Sequence, residues 1–173
     1  MKKLILFLAV AVLSGRLLAQ TEPTEITKKN SWLKAGLTAG LPIGDLSKVS
    51  SFTMGVDLKG QLMETNHVGI GLTSGYNHFF AKNNFESFGS IPVGAFIRYY
   101  PSSNGFFVGT DLGYTFLTNA NGADGGFYLR PQVGYHNYDW NFFGFYNGIL
   151  RGDDNGGSLH YAGLGATYNL RFK

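Results

Sequence analysis

The chain has 173 residues, enough for one domain, with 14 basic and 11 acidic side chains and no cysteine. Charged residues make up 14% of it, against ~25% in an average globular domain, while aromatics reach 16% and glycine fills 25 positions. A disulfide scaffold is excluded, and the formal charge of +3 does not point to nucleic acid, because three of the basic groups fall in the N-terminal leader.

That leader is Met1-Lys2-Lys3, an apolar run from Leu4 to Leu13, a break at Ser14-Gly15, and Leu17-Leu18-Ala19 before Gln20. The order of charge, short apolar core and small residue is that of a secretory signal peptide. The run is too short for a spanning helix, which needs ~20 residues. Cleavage after Ala19 removes Lys2, Lys3 and Arg16 and leaves 11 basic groups against 11 acidic ones. The predicted organisation is a signal peptide over 1–19, a polar periplasmic tail over 20–30 and a β-domain over 31–173.

From residue 31 onward the apolar residues recur with period two, the pattern of strands. Eight are predicted: 31–41, 51–63, 68–80, 87–100, 105–117, 126–136, 138–149 and 158–172. In the second, Phe52, Met54, Val56, Leu58 and Leu62 oppose Thr53, Gly55, Asp57, Lys59 and Gln61. In the last, Ala162, Leu164, Ala166, Tyr168, Leu170 and Phe172 oppose Gly163, Gly165, Thr167, Asn169 and Arg171. The seventh is ambiguous, since Phe142, Phe143 and Phe145 put large apolar groups on both faces. Pro92 and Pro131 fall inside strands and predict either bulges there or a strand end placed differently. Three connections are tight (64–67, 101–104 and near Asn137) and four are longer (42–50, 81–86, 118–125 and 150–157).

These features predict an all-β fold, an eight-stranded antiparallel up-and-down transmembrane β-barrel. After residue 19 no apolar stretch is long enough for a spanning helix, and a chain without one can cross a bilayer only as a closed barrel. Long and short turns at opposite ends match outer-membrane barrels, with the long loops extracellular. Aromatics near strand ends predict two girdles. Trp32, Tyr99, Tyr100, Phe106, Tyr135, Trp140 and Phe172 form the periplasmic one. Phe52, Tyr76, Phe79, Phe80, Phe88, Phe116, Phe127 and Tyr146 form the other.

Period two leaves open which face points inward. A soluble barrel of the lipocalin kind buries its apolar face, and a membrane barrel inverts the arrangement. Here the polar face is mostly glycine, threonine and asparagine, which suits a crowded lumen better than a solvated wall. The lumen would then hold Lys34, Asp57, Lys59, Arg98, Asp111, Arg130 and Arg171. These are five basic and two acidic groups, so waters, backbone carbonyls, Tyr161 or loop carboxylates must cover the rest.

The segments Gly36–Asp45 (GLTAGLPIGD), Ile91–Pro101 (IPVGAFIRYYP), Gly105–Phe116 (GFFVGTDLGYTF) and Gly163–Phe172 (GLGATYNLRF) together resemble the small, porin-like outer-membrane β-barrel family, over about 31–173. No one segment is specific; the combination carries the likeness. The ending Tyr168-x-Leu170-x-Phe172 is similar to the signal read by the barrel-assembly machinery, with Lys173 following the aromatic as a departure. The resemblance implies the bacterial outer membrane, with lipid, lipopolysaccharide and the assembly machinery as partners. It implies little about activity.

No residue pattern calls for a metal or cofactor. His67, His78, His136 and His160 lie near turns without ligand spacing. A hydrolytic site could draw only on His160, Ser158 and Asp153 or Asp154, and Arg151-Gly152-Asp153 reads as a turn before it reads as an adhesion motif. The expectation is a monomeric, non-catalytic barrel with an envelope-structural or surface-interaction role. A narrow channel is the alternative, followed by a lipid-modifying enzyme and a soluble lipocalin-like binder.

Overall fold

The structure is a computed structural model that describes residues 33–64, 67–120, 124–152 and 157–170. Eight strands follow the chain: β1 (Leu33–Ile43), β2 (Ser50–Glu64), β3 (Val68–Ala81), β4 (Phe88–Tyr99), β5 (Gly105–Thr118), β6 (Gly126–His136), β7 (Trp140–Leu150) and β8 (Leu159–Leu170). A four-residue helix, α1 (Leu46–Val49), interrupts the first connection. Each strand pairs antiparallel with the next, and β1 pairs with β8 from Leu33–Leu170 to Ile43–His160, so the barrel is closed. Closure removes the unpaired edge that an open sheet would present. Trp32, Arg171 and Phe172 lie outside the described residues.

The strand ends agree with the sequence expectation to within about two residues because turn chemistry sets them. At the β6–β7 turn the Asn137 side-chain oxygen accepts hydrogen bonds from the backbone N–H groups of Asp139 (2.9 Å) and Trp140 (2.8 Å). At the β4–β5 turn the Ser102 hydroxyl donates to the Asn104 carbonyl at 2.6 Å. The two prolines do not produce the expected bulges. Pro92 keeps its place opposite Thr115, and Pro131 opposite Thr110. Each only interrupts the ladder on its other side, where pairing passes from Ser74–Val93 to Asn77–Ser90 and from Leu129–Gly148 to Gln132–Phe145 without a change of register. A strand residue donates to one neighbour only, so proline removes one bond and leaves the other ladder intact. The register shifts fall instead between Ser50 and Phe52 and between Gln61 and Met63.

The apolar face points outward. Leu37, Leu72, Val108, Val133 and Leu164 are all more than half exposed, while Lys34, Asp57, Lys59, Arg98, Asp111 and Arg130 are buried. This inverts the usual distribution, in which large apolar patches are covered and charges are solvated. On the outer face aromatics gather at both ends. Tyr99, Phe106, Tyr135 and Trp140 lie at the short-turn end, and Phe52, Tyr76, Phe116, Phe127 and Tyr146 toward the loop end. Trp140 packs edge-on against Tyr168, and Phe52 stacks on Phe80 at 4.2 Å.

Three aromatics expected in the girdles point the other way. Tyr100 and Phe79 are buried in the barrel, and Phe88 packs against the same interior cluster. Tyr99 and Tyr100 are neighbours at a strand end, and alternation sends their side chains to opposite faces. Phe79 and Phe80 separate in the same way. Strand β7 also resolves by alternation: Phe143 and Phe145 are buried, and Phe142 and Tyr146 are exposed.

Candidate functional site

The interior is built in three tiers. The middle tier is ionic. Asp57 on β2 and Arg130 on β6 sit four strands apart in a ring of eight, on opposite walls, yet Arg130 Nη2 donates to Asp57 Oδ1 at 2.6 Å. Arg130 also binds Asp111 on β5 through Nε at 2.9 Å and through Nη2. Lys59 binds Asp111, stands 3.5 Å from Asp57 and donates to the Thr73 hydroxyl at 3.3 Å. The side chains of these four ions are at most 4% exposed. Eight strands leave a bore that side chains can fill, and here they cross it.

The network continues toward the short turns. Gln132 donates to Asp111 Oδ1 at 2.7 Å and accepts from Arg98 Nη2 at 2.8 Å. Arg98 is fully buried and has no carboxylate partner among the described residues. Three rings compensate its charge: the guanidinium carbon lies 4.6 Å from the centre of Phe107, 5.4 Å from Phe143 and 5.9 Å from Phe96. Beyond it, Lys34 donates to Asn169 Oδ1 at 3.1 Å, and Asn141 donates to the same oxygen at 2.8 Å. Phe96, Phe107 and Phe143, which hold Arg98, carry no sequence signal apart from a parity that places them beside lumen glycines and charges.

Glycines make room for these side chains. A Cβ built on Gly165 would stand 2.5 Å from the Phe143 ring, and one on Gly109 would stand 2.7 Å from Arg98 Cγ and 2.6 Å from the Ile97 carbonyl oxygen. We predict that Gly165→Ala displaces Phe143 from Arg98 and destabilises the barrel by ~1–3 kcal/mol, the usual range for overpacking. Urea unfolding in detergent measures this, and an unchanged midpoint would contradict it.

The loop-end tier is aromatic and aliphatic. Phe79, Tyr128, Phe145, Ile149, Leu159 and Tyr161 fill it, with Leu46 of α1 set on top. Tyr161 meets Phe79 at 5.3 Å and Phe145 at 5.8 Å, both edge-on. Above this layer a cavity of about 320 Å³ opens among the loops, lined by Leu46, Val49, Phe85, Phe88 and Leu117 among others. Beside it Lys48 pairs with Asp45 at 2.7 Å, and its hydrogen bond and charge hold the Asp45 carboxyl below the usual range. Arg151 also lines the cavity, its pKa lowered by burial, and donates from Nε to the Gly157 carbonyl at 2.9 Å.

Six of the seven charges expected in the lumen are therefore brought together there, and Arg171 lies outside the described residues. Tyr161 is buried in the lumen as expected, but within the aromatic layer. Of the candidate hydrolytic residues, His160 faces the outer wall of β8. Its Nδ1 meets the Tyr146 hydroxyl at 2.9 Å on the outer wall, and Asp153 and Asp154 fall outside the described residues. Among the described residues no three His, Cys, Asp or Glu side chains gather in a metal-binding group.

Fold and interior together define a small closed eight-stranded β-barrel with an apolar outer face and a charged, side-chain-filled bore. No protein-family description matches this chain, and no curated protein sequence matches it either.

Proposed function

We propose that the chain is an integral outer-membrane barrel, non-catalytic, with a structural or surface-contact role in the envelope. The observation that carries this is the inversion of its faces. A wall of exposed leucine, valine and phenylalanine surrounds buried lysine, arginine and aspartate. In water that arrangement leaves an apolar surface far beyond what monomeric proteins tolerate, whereas in lipid it is the stable one. The leader of residues 1–19, the aromatic belts and the C-terminal alternation through Leu170 support the same reading.

The bore supports a non-conducting role over a channel. Asp57 and Arg130 meet across it, and the aromatic tier lies over them. Reconstitution tests both parts. The refolded chain should float with lipid vesicles through a density gradient and give no conductance steps above a detergent control in planar bilayers. Protein left at the bottom of the gradient would remove the membrane reading, and discrete steps would remove the non-conducting one.

A further inference from the structure

We propose that the short-turn half of the lumen binds a small monovalent anion, chloride, on the guanidinium of Arg98, with the side-chain amide of Gln61 as second donor. The site goes beyond the envelope role proposed above, since it depends on the barrel interior alone. Charge requires a counter-ion. Among the described residues the lumen buries four cations, Lys34, Lys59, Arg98 and Arg130, against two carboxylates, Asp57 and Asp111. Both carboxylates are already held by Lys59 and Arg130. Arg98 is fully buried and stands outside that set. A buried charge without a counter-charge is costly, and water can satisfy its donors without neutralising it.

The hydrogen bonds point the same way. A guanidinium carries five N–H donors. Arg98 Nη2 gives one to Gln132 Oε1 at 2.8 Å, while Nε and Nη1 find no acceptor among the described residues. Nη2 has one hydrogen toward Nε and one toward Nη1, and Gln132 takes one of them. One edge of the guanidinium therefore keeps two parallel N–H groups open, the arrangement that grips an anion at two points. The rings of Phe96, Phe107 and Phe143 attract the charge but supply neither an acceptor nor a negative group.

Gln61 of β2 is the second donor. It is 5% exposed, and neither atom of its amide has a hydrogen-bond partner among the described residues. Gly69 relates it to Arg98. Gly69 stands opposite Arg98 in the β3–β4 ladder, and a Cβ built on it would lie 3.1 Å from Gln61 Oε1. Rotation of the amide would present its nitrogen to an ion on Arg98. Crowding sets the size of that ion. A Cβ on Gly109 would already stand 2.7 Å from Arg98 Cγ, so the site suits a monatomic ion over a phosphate or an organic acid. Toward the short turns, Tyr100 and His136 pack edge-on at 4.7 Å.

The test is a chloride titration of the ¹⁵N-labelled, refolded barrel in uncharged maltoside micelles, with gluconate replacing chloride at constant ionic strength. The side-chain N–H signals of Arg98 Nε and Gln61 should shift saturably with chloride. That of Arg130 Nε, already bonded to Asp111, should not. Gln61→Leu keeps every lumen charge and should weaken chloride binding about tenfold, the scale of one hydrogen bond to a charged partner. In Arg98→Met the Gln61 signal should no longer respond. The β2–β3 register sets Glu64 opposite Gly69, which makes its carboxylate the rival counter-ion within the chain. Glu64→Gln should leave the chloride response unchanged. A response seen only in Glu64→Gln would show that this carboxylate neutralises Arg98 and would overturn the proposal. Shifts that rise linearly with salt, or a Gln61 signal that responds without Arg98, would overturn it too. Flotation bears on the outer wall alone, so a failure here leaves the membrane reading untouched.

Discussion

Replacing Leu37 by arginine is expected to destabilise the barrel by ~2–4 kcal/mol in a phospholipid bilayer, the cost of a charged side chain at the midplane of a membrane barrel. Leu37 lies midway along β1, 64% exposed on the outer face, between Val56 of β2 and Ala166 of β8. It fills no core, so its loss leaves no cavity. The penalty comes entirely from what surrounds the outer wall. In lipid the guanidinium must lose its hydration or drag water in, and in water it would be better solvated than the leucine it replaces. Leu37→Arg therefore separates the two environments by the sign of its effect. Denaturant titrations in vesicles measure it, and equal or raised stability with better solubility in the absence of lipid would contradict the reading.

Replacing Arg130 by methionine is expected to cost ~3–5 kcal/mol, because breaking a buried pair from one side leaves the other charge uncompensated. Arg130 holds both carboxylates of the lumen, Asp57 across the bore and Asp111 beside it. Without it Lys59 alone would serve two buried aspartates. The double variant Asp57→Leu with Arg130→Met should recover part of the loss, since it removes one ion of each sign and leaves Lys59 with Asp111. Urea midpoints of the wild type, the single and the double variant give the comparison. A double variant less stable than the single one would show that the two side chains act by packing and not by charge.

Most of the barrel is legible in the chain because period two and turn residues are local signals. Alternation of leucine, valine and isoleucine with glycine, threonine and charge finds all eight strands and the lumen set Lys34, Asp57, Lys59, Arg98, Asp111 and Arg130. The errors arise where composition was read without parity. Tyr100 and Phe79 match their aromatic neighbours in composition, yet adjacent strand residues face opposite ways and these two are buried. The missing donor of proline by itself suggests a bulge, whereas the loss falls on one ladder and the register holds. What the chain could not tell is partnership across the bore. Asp57 and Arg130 are 73 residues apart, and nothing local links them until the sheet closes and sets β2 opposite β6. The ring cage around Arg98 is non-local for the same reason: Phe96, Phe107 and Phe143 come from three strands. The loop-end cavity needs α1 and the ends of β4, β5 and β8 at once, and no segment of the sequence carries its mark.

The most direct test of the account is fractionation of expressing cells, with the protein run on a gel both unheated and boiled. A closed barrel inserted in the outer membrane should enrich in that fraction, resist alkaline extraction and change mobility on boiling. A soluble band that extracts freely and runs alike in both lanes would contradict the membrane reading, and the exposed apolar wall would then need a protein partner to cover it.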